Sequence, residues 1–228
     1  MDRMETQFES GEEATAPLSA RRRETQLRLL DAATEVFSEL GLQGASVEAI
    51  CARAGFSRGA FYSNFSSKES LFLTLLEREF DRRTQDLAAK SMELEPVLRM
   101  RSGVISPDEA ARYILEFFSP SEDATSWFVL EAEFLLLAMR EPSIAPGHQQ
   151  FMDTFFSNIS GIVERVLAAA GRRFSLPVER AMPVLSSVYE QALRATVLGG
   201  PESPGGVGEL GERLAELLFA ITEPIESV

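Results

Sequence analysis

Between Ser46 and Asn64, two helix-length segments are separated by only Gly55-Phe56-Ser57, and each is preceded by a serine. A serine hydroxyl accepts a hydrogen bond from the amide two or three residues on. Ser46 is therefore expected to cap a helix over Val47–Ala54, and Ser57 a helix over Arg58–Asn64. Gly55 stops the first of these, because glycine enters the left-handed conformation that closes a helix without steric cost. Two short helices joined by so tight a turn have the form of a DNA-reading helix-turn-helix. Phe61 and Phe65 lie four apart and share a face, which is expected to bury against Val36, Phe37 and Ile50. Tyr62 lies about 100° around the helix from Phe61, so it turns outward with Arg58, Ala60, Ser63 and Asn64. Such a short, polar outer face can enter a major groove. Spacing alone also fits a helical pair that merely packs.

The rest of the chain keeps the helical period. Leu27, Leu30, Ala33 and Phe37 recur at three- and four-residue steps from Arg21 until Gly41. Ser66-Ser67-Lys68-Glu69 has capping-box spacing, with Glu69 reaching back to the Ser66 amide, and opens a long helix to about Lys90. The stretch 94–106 reads as a loop or broken helix. Ser106-Pro107-Asp108-Glu109 starts the next helix, which ends near Phe118. Further helices are expected over 123–140, 147–170, 178–198 (kinked at Pro183) and 209–221, with a glycine-rich loop over 199–208. No segment reads as a strand. The expected fold is all-α: an N-terminal three-helix helix-turn-helix DNA-binding domain and a C-terminal helical bundle for ligand binding and dimerisation. Residues 1–19 read as a disordered tail, 20–66 as the DNA-binding domain and 67–228 as the regulatory and dimerisation domain.

A net charge of −13 speaks against a nucleic-acid partner until its distribution is considered. Residues 20–68 carry seven Lys/Arg against five Asp/Glu, whereas 69–228 carry 14 against 25. A polyanion is drawn to the first segment and repelled by the second, which orients a complex. The one cysteine, Cys51, excludes an intrachain disulfide and a multi-cysteine zinc site. No signal-peptide core and no membrane-length apolar run is evident, so a soluble cytoplasmic protein with no membrane partner is expected. No metal and no cofactor is expected. One Cys and one His far apart, without a phosphate loop or nucleophile elbow, disfavour catalysis.

The stretch Ser46, Ala54-Gly55-Phe56-Ser57, Gly59-Ala60, Phe61-Tyr62 and Phe65-Ser-Ser-Lys68-Glu69-Ser-Leu71 resembles the DNA-binding domain of the TetR family of bacterial regulators over residues 21–72. The resemblance implies double-stranded operator DNA as partner. It places Tyr62 and Lys68 on phosphates, joined by Ser46 and Asn64, and puts Ser57, Arg58, Gly59 and Ala60 in the surface that touches base edges. Ser46 stands where the family more often has threonine, and Asn64 where it often has histidine. Arg21, Arg22 and Arg23 precede the first expected helix and could reach along the backbone or into a minor groove. A solvated basic flank accounts for them equally well.

The resemblance also implies a homodimer paired through the last two helices. Leu210, Leu214, Leu217, Leu218 and Ile221 form one candidate stripe, and Leu185, Val188, Tyr189, Ala192, Leu193 and Thr196 another. Both stripes could instead feed the intrachain core. A small-molecule effector of unknown identity is expected among Tyr113, Phe117, Trp127, Phe128, Glu131, Phe134, His148, Phe151, Phe155 and Tyr189, although aromatics at this spacing are more often plain core. Glu131 is the polar residue within an aromatic stripe, either facing a ligand or reaching solvent at a cavity mouth. Glu133 and Arg140 read as solvated charges. The leading function is a TetR-like one-component regulator, a repressor that binds a palindromic operator as a homodimer and is released by a small, largely apolar effector. The rivals are a helical ligand-binding or catalytic protein with a vestigial DNA domain, and a DNA-binding protein whose body recognises a protein.

Overall fold

The computed structural model describes residues 20–101 and 105–225. The expectation of a disordered tail at 1–19 lies outside them. Nine α-helices and two three-residue strands are described: α1 Ala20–Gly44, α2 Val47–Ala54, α3 Arg58–Tyr62, α4 Lys68–Arg99, α5 Pro107–Phe117, α6 Ala124–Arg140, α7 Ala145–Ala169, β1 Arg172–Phe174, α8 Val178–Gly199, α9 Leu210–Ile221 and β2 Thr222–Pro224. No helix among the described residues is long and apolar enough to cross a membrane.

Local chemistry explains most boundaries. Ser46, Ser57, Ser67 and Ser106 each accept a hydrogen bond from the amide three residues on, satisfying a donor the helix leaves open. At α4 the capping box is shifted by one from expectation: Ser67 and Ser70 exchange the two bonds, not Ser66 and Glu69. Regular α1 breaks at Gly41 (φ 68°, ψ 173°) and resumes for one turn to Gly44. At α5 the Ser106 hydroxyl takes the Glu109 amide, while the Glu109 carboxylate pairs with Arg101.

Three expectations about elements are corrected. Helix α4 runs on to Arg99, past Lys90 and through Pro96, because buried Ser91 and Leu98 keep its last turns packed and Pro96 sits only three residues from the end. Helix α8 is continuous through Pro183. β1 and β2 pair antiparallel, Arg173 opposite Glu223, and fasten the α7–α8 connection to the chain leaving α9. The Arg172 guanidinium strengthens that clasp by donating to the hydroxyl and carbonyl of Thr222 and lying 4.5 Å over Phe219.

Two apolar cores form. The first joins α1, α2, α3 and the N-terminal half of α4 to Trp127, Leu130 and Phe134 of α6 and Phe151 of α7. Phe72 is its centre, edge-on to Phe37 at 5.2 Å and stacked on Phe134 at 5.1 Å. The core of the helix-turn-helix therefore continues across residue 66 into the body. The second core gathers Phe117 of α5, Ile159 to Leu167 of α7, Met182, Leu185 and Ala192 of α8, and Leu210, Leu214 and Leu218 of α9. At Gly211 a side chain would collide with the Ala111 carbonyl at 2.7 Å and Leu115 at 2.8 Å, so only glycine lets α9 close onto α5.

The second core overturns most of the expected dimer stripe. Leu185, Ala192, Leu193, Leu210, Leu214 and Leu218 are buried within the chain itself. Thr196 accepts a hydrogen bond from the Val207 amide, and Leu217 and Ile221 are half-buried against the same core. A helix face already packed in its own chain has no apolar surface left to offer a partner.

Candidate nucleic-acid interface and ligand cavity

The turn between α2 and α3 is built by Gly55 in the left-handed conformation (φ 71°, ψ 34°), with the Phe56 amide returning to Cys51 O at 3.0 Å. Arg28 of α1 holds the turn from behind. It donates to Ala54 O at 2.9 Å and lies 4.6 Å over the Phe56 ring. Arg53 bonds Glu35 and Glu39, fixing α2 along α1. Phe61 and Phe65 enter the first core with Val36, Phe37 and Ile50, as their spacing requires.

The opposite face of α3 is open. Tyr62 is half exposed, and Gly59 and Ala60 put at most a methyl between the backbone and whatever approaches. Arg58 pairs with Glu48 at 2.6 Å and lies 5.8 Å from the Tyr62 ring. Both charges are well exposed, so water screens the pair, it contributes little, and it exchanges readily for a stronger acceptor. The exposed Ser46 and Ser57 use only their oxygens as caps, leaving each hydroxyl proton to donate. Arg21, Arg22 and Arg23 form the first turn of α1 instead of preceding it, and Arg22 reaches Ser63 O at 3.4 Å. Three cations at a helix N-terminus oppose the helix dipole, so their placement does nothing for helix stability.

Two expected phosphate ligands are committed elsewhere. The Lys68 ammonium donates to Leu42 O at 2.7 Å and Ala45 O at 2.9 Å, tying the start of α4 to the α1–α2 corner. The Asn64 amide turns inward to Ala60 O at 2.8 Å, and its Oδ1 is buried without a partner. Glu133, expected to be solvated, is half-buried and takes the Leu42 amide at 2.6 Å. The two main-chain groups of Leu42 are thus held by side chains from α4 and α6.

Where the two cores meet, they leave a cavity of about 520 Å³. Phe80 contributes from the first core, and Phe117, Ile159, Leu185 and Leu214 from the second. Of the expected ligand residues it includes Phe117, Phe128, Glu131, Phe155 and Tyr189. The others lie elsewhere. Trp127 is in the first core with its indole N–H on Asp123, and Phe134 stacks between Phe72 and His148. Phe151 stands edge-on to Phe80 in the same core, and Tyr113 lines a separate cleft of about 70 Å³ under α5. The half-buried His148 packs on Phe134, and burial pushes its pKa down.

The polar wall of the cavity was not legible beforehand. Glu79, buried at 6% exposure, bonds Arg82 at 2.7 Å and Arg83 at 2.8 Å. Arg82 also reaches Asp86 and Asp123. Arg83 lies 4.8 Å over Phe80, and its Nη2 is buried without a hydrogen bond. Glu131 receives no hydrogen bond among the described residues, and burial pushes its carboxyl up to about 7, against the pull of Arg83 and with the push of Glu190. Arg83 is the cation whose charge acts on it. The signal that was available is the i, i+3, i+4 spacing of Glu79, Arg82 and Arg83, which puts all three on one face of α4.

Comparison with known proteins agrees with this geometry. Residues 29–75 match the family model described as bacterial regulatory proteins, tetR family. The HTH-type transcriptional repressor AcnR of Corynebacterium diphtheriae is 37% identical over 189 residues, covering 80% of this chain and 84% of that protein. The HTH-type transcriptional regulator UidR of Escherichia coli is 31% identical over 121 residues, and the match spans 53% of this chain and only 55% of that regulator. Salmonella enterica GusR has a similar fold, with a TM-score of 0.59 over 86% of this chain and 96% of that one, at 20% identity. The nine-helix fold, the capped helix-turn-helix and the likeness to AcnR together establish that the chain belongs to the tetR family of bacterial regulatory proteins and is a helix-turn-helix transcriptional regulator.

Proposed function

We propose that the chain is a cytoplasmic repressor that binds a palindromic operator as a homodimer and leaves it when a small, largely apolar effector fills the cavity between the two cores. The observation that carries this reading is that two helices serve both places. Helix α4 starts under the helix-turn-helix, where Lys68 holds Leu42 and Ala45, and supplies Phe80, Arg83 and Leu87 to the cavity. Helix α6 carries Phe128 and Glu131 in the cavity wall and, two residues on, Glu133 on the Leu42 amide. An occupant that shifts either helix moves the DNA-reading module with it, which is the two-state element that coupling requires.

On DNA, Arg58 is placed to read a base edge. Tyr62, Ser46, Ser57 and Arg21–Arg23 supply backbone contacts, and Gly59 and Ala60 give the close approach. Repression is favoured by the likeness to the transcriptional repressor AcnR over 189 residues. The test is a mobility-shift titration on DNA from upstream of the gene itself, with and without hydrophobic compounds. Tyr62→Phe should weaken all sequences alike, whereas Arg58→Ala should lose about 1–3 kcal/mol of discrimination at one position per half-site. Binding that no cavity-sized compound relieves would remove the effector from the proposal.

A further inference from the structure

The charged groups around the cavity are unevenly partnered. On α4, Arg82 is held by Glu79, Asp86 and Asp123, Arg83 by Glu79, and Lys90 by the carbonyls of Phe117 and Ser119. On α8, Glu190 takes only the Ser186 hydroxyl, and the Tyr189 hydroxyl has no hydrogen-bond partner among the described residues. On α6, Glu131 has none either. The lining from α7 is Met152, Phe155, Phe156 and Ile159, which titrate nothing, and Leu214 of α9 is likewise inert. The cations of this wall are thus mostly satisfied. Of the three carboxylates that line the space, Asp86 is paired with Arg82, whereas Glu131 and Glu190 have no cation bonded to them among the described residues. Against them stand two uncommitted donors, the Tyr189 hydroxyl and the Nη2 of Arg83, the latter buried without a hydrogen bond.

Aromatic rings line the same space: Phe80, Phe117, Phe118, Phe128, Phe155 and Phe156. Ring faces attract a desolvated cation and do nothing comparable for an anion. A carboxylate without a partner in such surroundings is costly to ionise, and a bound positive charge removes that cost. Resting on the reading of the cavity as the effector site, we infer that its effectors are organic cations, an ammonium centre set between Glu131 and Glu190 with an apolar body on the phenylalanine rings.

Burial holds the Glu131 carboxyl near about 7 in the empty cavity. A cation favours its ionised form, so binding expels the proton, and affinity rises with pH through that region and levels off above it. The probes are (2-naphthylmethyl)trimethylammonium, 2-naphthylmethanol and 2-naphthylacetate, which share a ring system and carry positive, zero and negative charge. Calorimetry on the full-length wild-type protein at about pH 8 should show the ammonium binding about tenfold or more tighter than the other two. The preference should shrink at about pH 6, and in the isosteric Glu131→Gln, which keeps Glu190, it should be weaker than in wild type at pH 8 and no longer change between the two pH values. Near pH 7, titrations in two buffers of different ionisation enthalpy should show proton release with the ammonium and none with the alcohol. An alcohol or carboxylate that binds as tightly as the ammonium overturns the inference, as does a preference that is undiminished in Glu131→Gln. If all three bind alike, the effector cavity stands and only its charge selectivity falls. If none binds while the upstream DNA is still retained, the effector reading falls with it.

Discussion

Glu79 holds two guanidinium groups at once, and this arrangement determines which charges of the body are left over. With Arg82 and Arg83 both on one buried carboxylate, neither turns fully to Glu131, so the Glu131 proton is governed chiefly by burial. The consequence for stability has a definite sign. Below the ordinary carboxyl value of 4.5, folded and unfolded chains are both protonated at this position. Between there and about 7 the unfolded chain ionises while the folded one resists, so stability is lost as pH rises through that window. The loss is about 3 kcal/mol at most and constant above the window. Glu131→Gln cannot ionise and should match wild type near pH 4 but exceed it by up to ~3 kcal/mol at pH 8, measured by urea unfolding at both pH values. An equal difference at both would mean that packing, not the proton, distinguishes the two. Lys68 gives a second residue-level test. Lys68→Met loses two charge-assisted bonds to Leu42 O and Ala45 O and should cost about 2–3 kcal/mol of stability. The loss of operator affinity should follow that destabilisation, and an unchanged unfolding curve would return Lys68 to the DNA surface.

At the scale of elements, α6 is read on two sides at once. Phe128 and Glu131 face the cavity, while Phe134 stacks on Phe72 and Glu133 holds the Leu42 amide. Removing the Glu133 carboxylate frees the α1–α2 corner from α6 without touching the cavity. Glu133→Ala should therefore bind effector as wild type does while the effector's influence on operator affinity drops by about 0.5–2 kcal/mol. Calorimetry without DNA and shift titrations with it separate the two effects, and full release in the variant would place the coupling in α4 alone. The residues behind this helix show why sequence reading succeeded in one place and failed in another. Short capped helices are local objects, and Ser46, Gly55 and Ser57 announce α2, its end and the start of α3. Strands of three residues have no room for alternation, so β1 and β2 left no trace. The stretch from residue 94 read as a loop or broken helix because the burial of Ser91 and Leu98, which keeps α4 helical to Arg99, is a tertiary fact. The period of α6 showed that Glu131 lies among rings. Whether those rings face a space or another helix depends on α4 and α8, which local pattern does not place. Trp127, Phe134 and His148 went to the first core for that reason.

The proposed homodimer requires a partner surface, and burial restricts where it can lie. Leu185, Leu210, Leu214 and Leu218 are consumed by the second core, so Leu214→Glu should unfold the body instead of releasing folded monomers. The other face of α8 is unspent. Val184, Ser187, Gln191, Arg194 and Leu198 follow one another at three- and four-residue steps and are all exposed, with Leu198 at 81%. Val197, at 42%, borders the same stripe. A stripe with apolar ends and a polar middle that meets its own copy makes the self-complementary contact of a twofold dimer. Burying a leucine as open as Leu198 is worth about 1.5–3 kcal/mol per side, so a carboxylate there should be felt twice. Leu198→Glu should keep its helical circular dichroism and its effector affinity but sediment as a monomer. Operator affinity should then fall by about 10²–10⁴, the avidity lost when two half-sites are no longer held by one particle. A variant that remains dimeric at the same concentration would exclude the outer face of α8 and move the twofold contact to another exposed surface.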